Sequence, residues 1–295
     1  MSDLVLEPRG PFDLSAAARF IAGWPPAARP GAAAGDGRVL RLGFLVDDWS
    51  GHAGVLLRQA DANGPVEIIV TSSTAADLER VCDQAARIVS LDHDGSGYAA
   101  LGEGDEIVRR RGRESGWLRP VLFHSPYEAA CWAVISARIR QSQAARVRDE
   151  LAANHGAVLV VDREELPGFP APARLLTVRE ARGLSEEKLR RLHGVAEAAL
   201  AGDLDRERLL AAPHDEALTK LREIGGIGPF WAEGILLRAV GTTDALTFGE
   251  KRGRAAAAEA YGEPHVADDD DAFVALAERW RPFRTWVAVL LRATA

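Results

Sequence analysis

Two kinds of hydrophobic pattern divide the chain. Over roughly the first third, apolar residues come in short runs between glycine and proline breaks. Residues 38–46 alternate and stop at Asp47 and Asp48, while 52–58 and 66–71 flank Asn63-Gly64-Pro65. Alternation places every second side chain on one face of a strand, and Asn-Gly supplies the backbone of a tight reversal, so these runs predict neighbouring antiparallel strands. A strand over 4–7, broken by Pro8, Gly10 and Pro11, and a short helix over 12–21 precede them. Within 75–91, Leu78, Val81, Cys82, Ala85 and Ile88 recur at helical spacing. An α+β N-terminal antiparallel-sheet domain over 1–118 is the expectation, with no catalytic constellation in it.

From Ser125 onward the period is helical. Ser125-Pro126-Tyr127-Glu128 reads as an N-cap with proline at the first helical position, opening a long apolar helix. The prolines of 167–172 mark a connector. Helices are predicted over 177–182, 185–192, 195–200, 213–224, 229–240 and 251–261, the last two stopped by Gly241 and Gly262. Residues 271–291 supply one or two more, with Pro282 opening the second. Short helices without a heptad array or an internal repeat point to an all-α domain over 119–295.

Composition narrows the function. With 47% apolar and 27% charged residues the chain is globular rather than disordered. Two cysteines, Cys82 and Cys131, exclude a disulfide scaffold and any four-cysteine zinc or iron–sulfur centre. No histidine pair has ligand spacing, which argues against a transition metal. There is no leader with a basic start and an apolar stretch, and no membrane-length apolar run, so a cytoplasmic protein with no membrane partner is expected. The net charge of −7 argues against binding nucleic acid through bulk charge, leaving only a local patch for that role. The cations are nearly all arginine, with lysine only at 188, 220 and 251, a bias that reads as GC-rich coding rather than as a phosphate-binding device.

The segment 221–241, LREIGGIGPFWAEGILLRAVG, carries the most information. It reads as a helix, a tight Gly225-Gly226-Ile227-Gly228 turn, and a second helix opening at Pro229. Glycine lets the turn take positive φ and bares its N–H groups, which join the free donors of the second helix to make a seat for a phosphate oxygen. Alone, such a turn could equally be a packing device between two helices.

The sequence resembles the helix–hairpin–helix DNA glycosylase superfamily, and specifically its 3-methyladenine DNA glycosylase II (alkylpurine) type. Leu221, Ile224, Gly226, Ile227, Gly228 and Ala232 match the family hairpin, and Trp280, Arg281, Pro282, Phe283 and Arg284 match its late W-[RK]-P-[WF]-R motif. The resemblance runs in the same order through 129–151 and 169–200, and more faintly through 6–12. It implies a sheet domain followed by two helical subdomains with the active-site cleft between them. The implied activity is monofunctional removal of alkylated purines, such as 3-methyladenine or 7-methylguanine, from double-stranded DNA by a nucleoid-associated monomer.

Such chemistry needs a flipped-out nucleotide and a carboxylate beside the sugar, because N-glycosidic cleavage builds positive charge there. The resemblance puts Glu250 at the catalytic position, where the family carries aspartate, with Asp244 as an upstream structural acid. The bland alternative for Glu250 is a carboxylate opening a helix over 251–261. Phe230 stands where lyase-competent relatives carry lysine, so no Schiff-base nucleophile is expected, and it matches a pocket aromatic, with plain core packing the alternative. Gly234 and Arg292 take pocket positions occupied by tyrosine and tryptophan in the family, and Arg138 takes that of a leucine wedge. Backbone N–H groups of Gly226, Gly228 and Trp231 are the implied phosphate anchors. A Na+ or K+ ion on the main-chain carbonyls of Arg222, Ile224 and Ile227 is the only implied cofactor. Because Glu250, Gly234 and Arg292 all depart from the family, a non-catalytic DNA-damage- or DNA-structure-binding relative is the alternative.

Overall fold

The computed structural model describes residues 3–247 and 249–295. Strands β1 (Asp3–Leu6), β2 (Ala33–Ala34), β3 (Val39–Leu45), β4 (His52–Gln59) and β5 (Val66–Ser73) form one antiparallel sheet in the order β1-β5-β4-β3-β2. The β4–β5 reversal carries Asn63 at φ 63°, and its side chain and N–H bond the main chain of Phe12 at 3.0 and 2.8 Å. One face of the sheet is covered by the helices Leu14–Gly23 and Leu78–Ile88.

The other face explains an element the sequence reading missed. Gly43 and Gly54 are directly paired across β3 and β4, leaving a patch of sheet with no side chains. A hairpin of β6 (Ala157–Val161) and β7 (Glu164–Gly168) lies on that patch. A Cβ on Gly43 would stand 2.9 Å from Leu166 Cβ, and one on Gly54 2.7 Å from Val161 Cγ2. Residues 167–168 thus belong to a strand rather than wholly to a connector. The hairpin turns on Asp162 and Arg163, both at positive φ (47° and 69°), without the Asn-Gly signal that marks such turns.

Most predicted helices are present with shifted limits. The apolar one is Pro126–Ser136, capped by the Ser125 hydroxyl and buried from Pro126 through Ile135, followed by a separate helix Gln141–His155. The predicted pair over 185–200 is a single helix, Glu186–Ala201. Its buried stripe of Leu189, Leu192, Val195, Ala196 and Ala199 outweighs the cost of Gly194. No helix forms over 177–182. The helical turn lies earlier, at Pro172–Leu175, and Val178 is buried with its carbonyl 3.0 Å from His193 Nε2. The span 229–240 is an α-helix only over Pro229–Ile235 and continues as a π-helical turn, Leu236–Val240. Pro282 does not open the closing helix. It sits in a turn after a cis Arg281–Pro282 bond, and the helix runs Arg284–Ala293. Two helices absent from the prediction, Ser96–Gly104 and Glu106–Ser115, start from a glycine-rich, strongly charged stretch with little apolar periodicity. Their Tyr98 and Val108 share an apolar cluster with Trp280, Trp286 and Leu290.

Arg119 ties these parts together. Buried between the rings of Phe12 and Trp286 at 5.4 and 5.5 Å, it donates to the carbonyls of Arg9, Gly10, Pro11, Ser90 and His93. Removing it would strand the carbonyls of Gly10, Pro11, Ser90 and His93, with Arg9 O keeping only the Gly95 N–H. Arg119→Leu should therefore lower unfolding free energy by about 3 kcal/mol or more, read from the urea midpoint.

Candidate functional site

The hairpin lies between the helices His214–Glu223 and Pro229–Ile235. Leu221, Ile224 and Ile227 are buried beneath it while Gly225, Gly226 and Gly228 are exposed. Gly226 sits at φ +100°, and a Cβ there would stand 3.1 Å from Val134 and 3.2 Å from Arg191. The left-handed backbone is what calls for glycine, and the tight approach of Val134 adds to it. Ala232 is the first residue of the second helix whose N–H bonds back, to Gly228 at 2.9 Å. The N–H groups of Phe230 and Trp231 thus lack intrahelical partners, so the turn and helix start present free donors on one exposed edge. Ile224 O already accepts from Ile227 N–H at 3.0 Å. A carbonyl keeps a second lone pair, so the main-chain oxygens here are compatible with a monovalent ion. Among the described residues no cluster of His, Cys, Asp or Glu could hold a metal.

Behind the hairpin the chain encloses a cleft of about 200 Å³. Phe230, Trp231, Gly234, Glu250 and Arg292, taken from three separate stretches of sequence, all line it. Phe230 is 43% exposed and sets its ring edge-on to Trp231 at 5.5 Å, so it is not a core residue. Trp132, by contrast, is buried although it too lines the cleft. The helix-opening reading of Glu250 holds, and the residue also lines the cleft. Its Oε1 accepts from Arg252 N–H at 3.1 Å as the N-cap of the helix Lys251–Tyr261.

Glu250 is held there by a loop clasped to the last helix. Asp244 accepts from Arg284 Nε at 2.6 Å and from Arg281 Nη1 at 2.8 Å. Thr285 Oγ1 bonds both the N–H and the carbonyl of Ala245, at 3.1 and 2.9 Å. The late motif of the sequence thus anchors the loop that carries the carboxylate. Residue 248 of that loop lies outside the described residues.

Arg138 is exposed, at φ +59° in the short connection between the helices ending at Ser136 and starting at Gln141. A left-handed backbone at an arginine is strained, and Gln141 just beyond it lines the cleft.

Several lining residues escaped the sequence reading. Phe20, Trp24 and Phe123 come from before residue 125, and Arg238 from the π-helical turn. Arg238 lies 4.1 Å from the Trp24 ring centroid and 5.3 Å from that of Phe20, and its Nη2 donates to Val121 O at 2.7 Å. Burial pushes its guanidinium down to about 10, with the negative charge of Glu250 working against the shift. Only the helical spacing of apolar residues was visible for this segment, and it gave no sign that an arginine would point inward.

Known proteins share the overall fold. A solved 3-methyladenine DNA-glycosylase from Archaeoglobus fulgidus superposes over 99% of this chain and 97% of its own, with a TM-score of 0.76 at 20% identity. The chain has the helix–hairpin–helix DNA glycosylase fold. The 8-oxoguanine glycosylase/lyase of Clostridium acetobutylicum, solved with double-stranded DNA containing cytosine opposite 8-oxoguanine, shares the fold over 83% of each chain, with a TM-score of 0.60 at 15% identity. A DNA-3-methyladenine glycosylase of Bacillus subtilis (strain 168) is 25% identical over 154 residues. That match takes in 51% of this chain and 51% of the relative, so the chain spans about half the length of that protein. No protein-family model matches the chain. Among the described residues no helix is long and apolar enough to cross a membrane.

The clasp has a direct test in this glycosylase fold. Asp244→Ala should cost about 1 kcal/mol of stability, modest because the pair is partly solvated. It should also speed amide exchange at Ala245, read by hydrogen–deuterium exchange.

Proposed function

We propose that the protein is a monofunctional DNA glycosylase that flips a damaged base, of the alkylated-purine class, out of duplex DNA and hydrolyses its N-glycosidic bond. The observation that carries this reading is the convergence of Glu250 with Phe230, Trp231, Gly234 and Arg292 on one cleft directly behind a hairpin of exposed backbone donors. Free N–H groups of Gly226, Gly228 and Trp231 bind phosphate oxygens. A monovalent ion on the carbonyls of Arg222, Ile224 and Ile227 would screen that charge when bound. Arg138 fills the gap left in the base stack, its guanidinium able to lie flat on neighbouring bases.

With the base seated against Phe230 and Trp231, the Glu250 carboxylate stabilises the oxocarbenium character of the sugar and orients the attacking water. An alkylated purine that already carries positive charge departs neutral and needs no proton from the protein. Phe230 in the place of a lysine supports hydrolysis without strand cleavage, since no amine stands there to form a Schiff base. The binding-only alternative is not favoured, because the similar proteins of known name are glycosylases.

Base release from methylated duplex DNA, with abasic sites revealed by alkali, tests the reading. Glu250→Gln should slow release by on the order of 100-fold or more while duplex affinity is retained. Equal rates for the two proteins would refute the assigned role. Gly226→Val should weaken duplex binding about tenfold at fixed salt, read by fluorescence anisotropy, because a β-branched residue cannot take the left-handed turn that aims the donors. Undiminished affinity would remove the hairpin from the interface.

A further inference from the structure

The loop that carries Glu250 is held from two sides. At its start, Asp244 and Ala245 are clasped to the last helix. Beyond them, among the described residues, the loop makes one hydrogen bond to another element before it reaches Glu250. It runs from Thr247 Oγ1 to Glu233 Oε2, at 2.6 Å. Glu233 belongs to Pro229–Ile235, the second helix of the hairpin. It is half-buried and, among the described residues, forms no ion pair, in a chain rich in arginine. Thr247 is its single hydrogen-bond partner. A carboxylate can only accept, so the hydroxyl donates, and a bond of this length to a charged oxygen is of the strong, charge-assisted kind. Phe230 stands one turn before Glu233 on the same helix face. Gly249 lies against it, where a Cβ would stand 2.8 Å from Phe230 Cδ2. One face of the hairpin's second helix therefore grips the loop at 247 and 249, immediately before Glu250.

We infer that Glu233 is a positioning residue for Glu250: by taking the hydrogen bond from Thr247 it fixes the loop that carries the carboxylate to the helix whose start meets DNA phosphate. This rests on the hydrolase reading above. Trp231, whose free N–H is a phosphate donor in that reading, stands two residues before Glu233 on the same short helix. Phosphate seating at the hairpin and the place of the Glu250 carboxylate are thereby set by one element. Without the Thr247 bond, the segment next to Glu250 keeps only the packing of Gly249 on Phe230 and the clasp at the start of the loop. Glu233 lies outside the set of residues that line the cleft, while Thr247 and Glu250 line it. It acts on the reaction through the loop, and a displacement of about 1 Å at a reacting group is enough to cost on the order of 100-fold in rate.

The test measures two quantities separately: single-turnover release of 7-methylguanine at saturating enzyme, and affinity for the same duplex carrying a tetrahydrofuran abasic analogue. Thr247→Val, which keeps the shape and removes the donor, and Glu233→Ala should each slow release about 30-fold while affinity stays within about twofold of wild type. Thr247→Ser and Glu233→Gln, which keep the donor and an accepting oxygen, should release base within about threefold of wild type. The double variant, Thr247→Val with Glu233→Ala, should be no slower than the slower single one, because both remove the same bond. Losses that multiply in the double variant overturn the inference. So does release by Glu233→Gln as slow as by Glu233→Ala, which would make Glu233 a charge rather than a tether. Affinity falling in step with rate assigns the pair to the binding surface or to the fold at large, and overturns it too. Wild-type rates in all four single variants overturn it and leave the hydrolase reading intact, whereas no release by wild type removes both. Should Glu233→Ala not fold, Thr247→Val against Thr247→Ser decides the matter, since equal rates for those two overturn the assignment.

Discussion

Main-chain carbonyls in loops that reach the core have no strand or helix partner, and leaving them unpaired would cost more than most packing gains. In this chain arginine supplies the missing donors. Arg119 gathers carbonyls from residues 9–11, 90 and 93. Arg148 does the same for Pro25, Pro26 and Ala28, and Arg206 and Arg238 bond Val240 and Val121. Each joins segments far apart in sequence, and together they hold the N-terminal segment against the helices. The arginine bias, read from composition as a coding effect, is in these cases structural.

That wiring decides what the cleft is made of. Arg148 pins the loop after the helix Leu14–Gly23, and the end of that helix delivers Phe20 and Trp24 to the cleft wall. The sheet side of the molecule, in which no catalytic group was expected, therefore contributes aromatic surface and the stacking partner of Arg238.

Sequence legibility differed sharply between parts of the site. The hairpin was readable because its requirements are local: glycine where φ is +100°, proline at the first helical position, and apolar residues at 221, 224 and 227 to bury. Asp244 was readable as structural only through resemblance, and its partners Arg281 and Arg284 confirm the clasp. The β6–β7 hairpin was not readable, because its turn lacks glycine and its seat is the vacancy left by Gly43 and Gly54 more than a hundred residues earlier.

By itself the sequence determined four of the five strands of the main sheet, the succession of short helices and the hairpin that marks the fold, since each follows from backbone preference and nearest-neighbour spacing. Tertiary structure alone decided which side chains share the cleft: that Phe230 stays exposed while Trp132 is buried, that Glu250 lines the cleft while it caps its helix, and that Arg238 meets Trp24 across more than two hundred residues. Local pattern specifies which face of an element is apolar. It carries no record of which distant surface that face will meet, and the charge and shape of a cleft are properties of the meeting.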